Sequence, residues 1–132
     1  MDTPFPTADE YSEQQALLPP LFKFDVKALQ VLVKETYRND VLLDVNDHCI
    51  RMSVFEGEYR WHQHPDSDEC FLVVEGSLQV EVLGWETIEL GSWQGIVVPA
   101  GTVHRTRAVG RTVNLTFERI AAKAVFINEG IE

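Results

Sequence analysis

The chain has 132 residues, of which 45% are hydrophobic and 24% charged. At roughly 150 residues per domain this supplies one core and excludes a second, and the apolar-to-charged balance excludes a disordered chain and a membrane span. Lys and Arg number 11 against 21 Asp and Glu, a net charge of -10, whose field repels phosphate backbones and anionic headgroups; neither nucleic acid nor a membrane is expected as a partner.

Residues 1–24 read as an extended N-terminal arm. Pro4, Pro6, Pro19 and Pro20 interrupt it, and proline removes a backbone donor while restricting its neighbour. An arm is expected here, not a core element: either disordered or laid across a partner subunit, because Leu17, Leu18, Leu21 and Phe22 would otherwise face water. Asp2, Asp9, Glu10 and Glu13 stand in Met1–Gln15 without a Lys or Arg and without an apolar run behind them, so export is not expected. Cys49 and Cys70 form no Cys-x-x-Cys spacing, which suits a reducing cytoplasm.

Residues 25–132 read as one domain with a short leading helix. Asp25 is a good N-cap, and Val26, Leu29, Leu32 and Val33 follow at helical spacing. After Tyr37 the period becomes two. Strands are predicted over 41–45, 48–55, 59–64, 69–74, 77–83, 86–90, 96–98, 103–108 and 112–118, separated by Gly, Pro and Asn-Asp turns. Many short strands with such turns predict an all-β, antiparallel sandwich or barrel.

Three of the four histidines carry the chemistry. His62 and His64 stand two apart on a predicted strand, so both imidazoles leave one face. Glu69 opens the next strand, and a hairpin folding back beside the histidines would bring its carboxylate within reach. His104 follows the Pro99-Ala100-Gly101 turn. Three imidazoles and a carboxylate suit one divalent Zn, Fe, Mn, Ni or Cu ion better than Ca or Mg. His48 has no partner in this pattern and reads as a surface residue.

These residues resemble the cupin motifs. His62-Gln63-His64, Glu69 and Gly76 reproduce H-x-H-x3,4-E-x6-G, and Pro99 to His104 matches the P-x-G-x-x-H centre of the second motif. The resemblance covers residues 41–118 in the order of a single-domain cupin. It implies an antiparallel jelly-roll β-barrel with His62, His64, Glu69 and His104 directed inward onto one metal, and a homodimer, for which the apolar residues of the arm also speak. Three positions depart from the pattern. Glu56 stands where motif one begins with glycine, with Gly57 one residue later, which a bulge would absorb; Trp93 and Ala108 replace the glycine and asparagine of motif two.

Arg60 shares the predicted face of His62 and His64, so it either grips a substrate carboxylate or phosphate or sits at the rim paired with an acid. Arg105 and Arg107 should point outside. Tyr59, Trp61, Phe71 and Phe117 are expected to pack the core, and Cys70 to face away from Glu69. The functional expectation is a metalloenzyme, isomerase or dioxygenase in type, acting on a small oxygen-rich or anionic molecule. The alternative is a non-catalytic module that binds or senses a small ligand through the metal.

Overall fold

The computed structural model describes residues 3–127. Two short helices, α1 (Ala8–Glu13) and α2 (Val26–Val31), precede nine strands: β1 (Tyr37–Val45), β2 (His48–Glu58), β3 (His62–Gln63), β4 (Glu69–Glu75), β5 (Leu78–Val82), β6 (Ile88–Leu90), β7 (Gly95–Val98), β8 (His104–Arg119) and β9 (Val125–Phe126). All belong to one curled antiparallel sheet, the architecture that the alternation predicts.

The sheet is organised around β8. The two strands predicted over 103–108 and 112–118 are one, continuing through Gly110 at φ +77°. Along one edge β8 pairs with β2, from His48↔Arg119 to Glu58↔Arg107, and then with β3 through His62↔His104. Its other edge takes β4 beside Val113–Phe117 and β5 beside His104–Ala108. The even-numbered residues of β8 on either side of the exposed Gly110 therefore line the interior: His104, Thr106, Ala108, Thr112, Asn114, Thr116 and Glu118 are all buried, as strand alternation requires.

Two apolar clusters hold the sheet. Phe55, Phe71, Val73, Leu78, Val80, Leu90, Val98 and Ala108 fill one part of the interior; Tyr59 and Phe71 are buried as expected, whereas Trp61 and Phe117 are only half-buried. Outside the sheet, Met52, Val54 and Val113 pack with Val33 and Leu42, and α2 lays Val26 and Leu29 over them. This outer layer explains why Met52 and Val54 are buried although they point away from the interior. Asp25 caps α2, its side chain accepting from Ala28 N–H at 3.2 Å, as the sequence predicts.

The departures from the motif pattern have local explanations. The β2–β8 register shifts between Phe55 and Gly57, and Gly57 has φ +96°, so a bulge absorbs the one-residue offset. Trp93 stands where the second motif has glycine and itself adopts φ +66°; the backbone keeps the left-handed turn without the residue best suited to it. Gly76 is more demanding, since at φ +100° a Cβ would lie 2.6 Å from Thr112 Oγ1 and 2.8 Å from the Arg111 carbonyl. Gly76→Ala is expected to destabilise the protein by more than about 2 kcal/mol, from backbone strain plus overlap, measured by urea unfolding at constant m.

The arm reading needs correction at α1. Thr7 and Glu10 form a complete capping box, the Thr7 hydroxyl accepting from Glu10 N–H and the Glu10 carboxylate from Thr7 N–H, and the helix so started carries Tyr11 into the interior, where it is 4% exposed. Downstream, Leu17 and Leu18 N–H donate to the Val41 and Leu42 carbonyls at 2.9 Å, which ties the segment to β1. Leu17, Leu21 and Phe22 remain exposed.

Candidate metal centre

Loops and strand ends from four places converge on one point. His62 lies on β3 and His64 just beyond it, Glu69 opens β4, and His104 opens β8 opposite His62. Glu69 does not arrive by the hairpin that the sequence suggests. β4 pairs with β7 and β8, with Glu69↔Val98, whereas β3 pairs with β8 and β9, so the 65–68 loop crosses between neighbourhoods instead of folding straight back. Asp68 Oδ1 accepts from Ala100 N–H at 2.8 Å, and Gly101 N–H donates to the His64 carbonyl at 2.9 Å; these bonds fasten the Pro99–His104 turn to the His62–Glu69 segment.

All four side chains are buried, and one candidate donor atom from each lies within 4.8 Å of the others. Two donors at about 2.1 Å from one ion stand no more than about 4.2 Å apart, so the cluster needs only a small contraction. The imidazoles are already aimed. His62 Nδ1 donates to the Arg60 carbonyl at 2.7 Å, His64 Nδ1 to the Lys123 carbonyl at 2.8 Å and His104 Nδ1 to the Thr102 carbonyl at 2.8 Å. A carbonyl can only accept, so each Nδ1 carries the hydrogen and each Nε2 is left to face the centre. His64 Nε2 is buried without a hydrogen-bond partner, and Glu69 Oε1 lies 3.0 Å from His104 Nε2 and 3.5 Å from His64 Nε2. One orphaned imidazole nitrogen, and a second whose only partner is the same carboxylate, fit a borderline divalent ion.

Without a metal, protons stand in for it. Burial opposes charge on His64, but the Glu69 and Glu118 carboxylates outweigh it and raise its pKa to about 9. His62, penalised by burial and by the neighbouring imidazoles, is pushed down to about 3. Against the cost of burial, the His64 and His104 rings hold the Glu69 carboxyl well below its usual range. The raised His64 stabilises the fold fully below its unfolded value of 6.5 and loses this as pH rises through 9, while the lowered Glu69 contributes above 4.5. Metal-free protein is therefore expected to lose thermal stability between pH 6.5 and 9. Glu69→Gln should flatten that decline; a flat wild-type profile in chelator would contradict the pairing.

A second buried group adjoins the first. Arg51 and Glu118, both almost wholly buried, are joined by Nε–Oε2 at 3.0 Å. The Tyr11 hydroxyl donates to Glu118 at 2.8 to 2.9 Å, Arg51 donates to the Tyr11 carbonyl at 2.9 Å, and the guanidinium lies 3.8 Å over the Tyr11 ring. Tyr11 in turn stacks on His64, with 5.4 Å between centroids. Burial and the Glu69 carboxylate push Glu118 up to about 7, against the pull of Arg51.

Family-model comparison supplies the remaining observation: the cupin-domain pattern matches residues 51–117, which include all four clustered side chains. The chain belongs to the cupin family. A Bacillus subtilis relative, the uncharacterised protein YdbB, is 50% identical over 97 residues, covering 74% of this chain and 86% of its own. The polyketide synthase CurC of Streptomyces cyaneus is 47% identical over 49 residues, 37% of this chain and 31% of that protein. Among solved structures, a cupin-2 domain protein from Shewanella frigidimarina superposes with a TM-score of 0.68 at 28% identity, covering 73% of this cupin and 93% of its own chain.

Arg60, for which the sequence left open a substrate grip or a rim pairing with an acid, has other partners in the cupin barrel. Its Nη2 donates to the Pro6 carbonyl and its guanidinium lies 3.6 Å over the Phe126 ring, fastening the N-terminal segment to β9. Arg105 and Arg107 point outward as predicted and join Glu58 and Glu81. His48 is exposed and paired with Asp47. Sequence reading missed Tyr11 and the Arg51–Glu118 pair. The Thr7-x-x-Glu10 capping box was a usable signal for the first. For the second, Glu118 shares parity with Thr112 and Thr116 on a strand whose even face points inward.

Proposed function

We propose that this cupin holds one divalent transition metal through His62, His64, Glu69 and His104 and is a metalloenzyme, isomerase or dioxygenase in type, for a small oxygen-rich molecule. The observation that carries the reading is the set of three Nδ1-to-carbonyl bonds, which turns three Nε2 atoms towards the Glu69 carboxylate. Such an ion would supply Lewis-acid polarisation of a carbonyl or hydroxyl or, if redox-active, electrons to dioxygen. The chain's own residues orient the ligands, exclude water around them and leave His62 and Glu69 facing a small interior cavity. The name of the CurC relative is that of an enzyme, in keeping with catalysis.

Purified protein reconstituted with each ion is expected to bind about one equivalent and to turn over in oxygen-uptake or carbonyl-isomerisation assays against sugars, diketones and hydroxy acids. Full occupancy and ligand binding with no turnover would assign the non-catalytic binding role instead. No helix among the described residues is long and apolar enough to cross a membrane; the free thiols of Cys49 and Cys70 support a cytoplasmic location. Exposed Leu17, Leu21 and Phe22 support a homodimer, tested by size-exclusion chromatography with light scattering.

A further inference from the structure

The metal cluster opens on a cavity of about 40 Å³, to whose wall Tyr59, Asn114, Ser53, Thr106 and Phe71 contribute with His62 and Glu69. A water position takes roughly 10 to 15 Å³ on this measure, so about three waters, or one three-carbon molecule, fit. The wall is built with two unmet polar atoms. Asn114, 2% exposed, uses Nδ2 on Thr116 Oγ1 at 3.3 Å and leaves Oδ1 without a partner; the buried Tyr59 hydroxyl also lacks one. Buried acceptors and donors left unpaired are costly, and a ligand would relieve the Asn114 acceptor.

The charge of the wall narrows the choice. No residue lining the cavity is a lysine or arginine; Arg51 is engaged by Glu118 and the Tyr11 carbonyl, and Arg60, whose Nη2 meets the Pro6 carbonyl, keeps its buried, unpaired Nε on the Tyr59 side and away from Asn114. A second carboxylate on the ligand would meet the Asn114 carbonyl oxygen with no cation beside it. A methyl group would leave Asn114 Oδ1 unmet. A hydroxyl satisfies it by donating to Oδ1.

We propose that Asn114 selects a ligand of about three carbons that presents a neutral hydroxyl to its Oδ1. This rests on the metal-centre reading above and specifies its substrate class. Three probes share an α-hydroxycarboxylate end and differ only at the other: glycerate carries a hydroxymethyl group, lactate a methyl and tartronate a carboxylate. Calorimetry on the zinc-loaded full chain is expected to rank glycerate about fivefold or more above lactate, the worth of one hydrogen bond, with tartronate weakest. Asn114→Ala should bring glycerate down to lactate, leaving lactate binding and zinc content unchanged.

Should that variant not fold, the wild-type Asn114 side-chain amide resonances give the same answer, moving with glycerate and not with lactate. Equal affinities, tightest binding of tartronate, or an Asn114 signal that glycerate leaves in place would each overturn the proposal. Wild-type protein that retains no zinc would overturn the metal reading separately. The Asn114 signal in metal-free protein then decides the subsite, with movement by glycerate supporting it and none refuting it.

Discussion

His104→Ala is expected to reduce metal affinity by more than about 100-fold, since even the outer partners of metal ligands are worth 10- to 100-fold and this change removes a donor outright. His62→Ala and Glu69→Gln should behave alike. After dialysis against dilute chelator, metal analysis should find about one equivalent in wild type and little in any of the three variants. The barrel should stay folded by circular dichroism, because none of the four ligands belongs to either apolar cluster. His48→Ala is the control, an exposed imidazole held only by Asp47, and should keep full occupancy. Equal occupancy in all the variants would remove the centre from the proposed function.

The largest stability effect is expected at Arg51→Met. Arg51 is 1% exposed and bonded to Glu118, the Tyr11 carbonyl and Asn39. Removing it strands the Glu118 carboxylate close to Glu69, and breaking one side of a buried pair costs about 3–5 kcal/mol. At a few degrees per kcal/mol for a domain of this size, Tm should fall by about 10–20 °C. Arg51→Met combined with Glu118→Leu should recover much of the loss, because the unpaired charge disappears. Arg38 is the contrast: its 2.7 Å bond to Asp40 is shorter, yet its side chain is 44% exposed, and Arg38→Ala should change stability by less than about 1 kcal/mol.

The buried cluster of His62, His64, Glu69 and His104 was legible in the sequence for a physical reason. His62 and His64 must share a face because strands alternate, and Gly76 and the Pro99-Ala100-Gly101 turn mark backbone geometry that few other residues allow. Alternation also placed Cys70, Arg105 and Arg107 on the outside. It could not say which strands are neighbours. The route of Glu69 to the histidines runs through β4 pairing with β7 and β8, a long-range choice that no local pattern records. The merger of two predicted strands into β8 fails for the same reason: Gly110 reads as a turn until β2 is seen to run past it on both sides. Tyr11 was hidden by the prolines around it, which mark an irregular path but say nothing of whether that path enters the core.

One strand thus holds His104 near one end and Glu118 near the other, while β2, β3, β4 and β5 all draw hydrogen bonds from it. Its Val113–Phe117 stretch is flanked by β2 on one edge and β4 on the other. The amides of that stretch should therefore exchange with deuterium only when the whole molecule opens. Because those pairings span most of the chain, their assembly should be slow for a protein of this length.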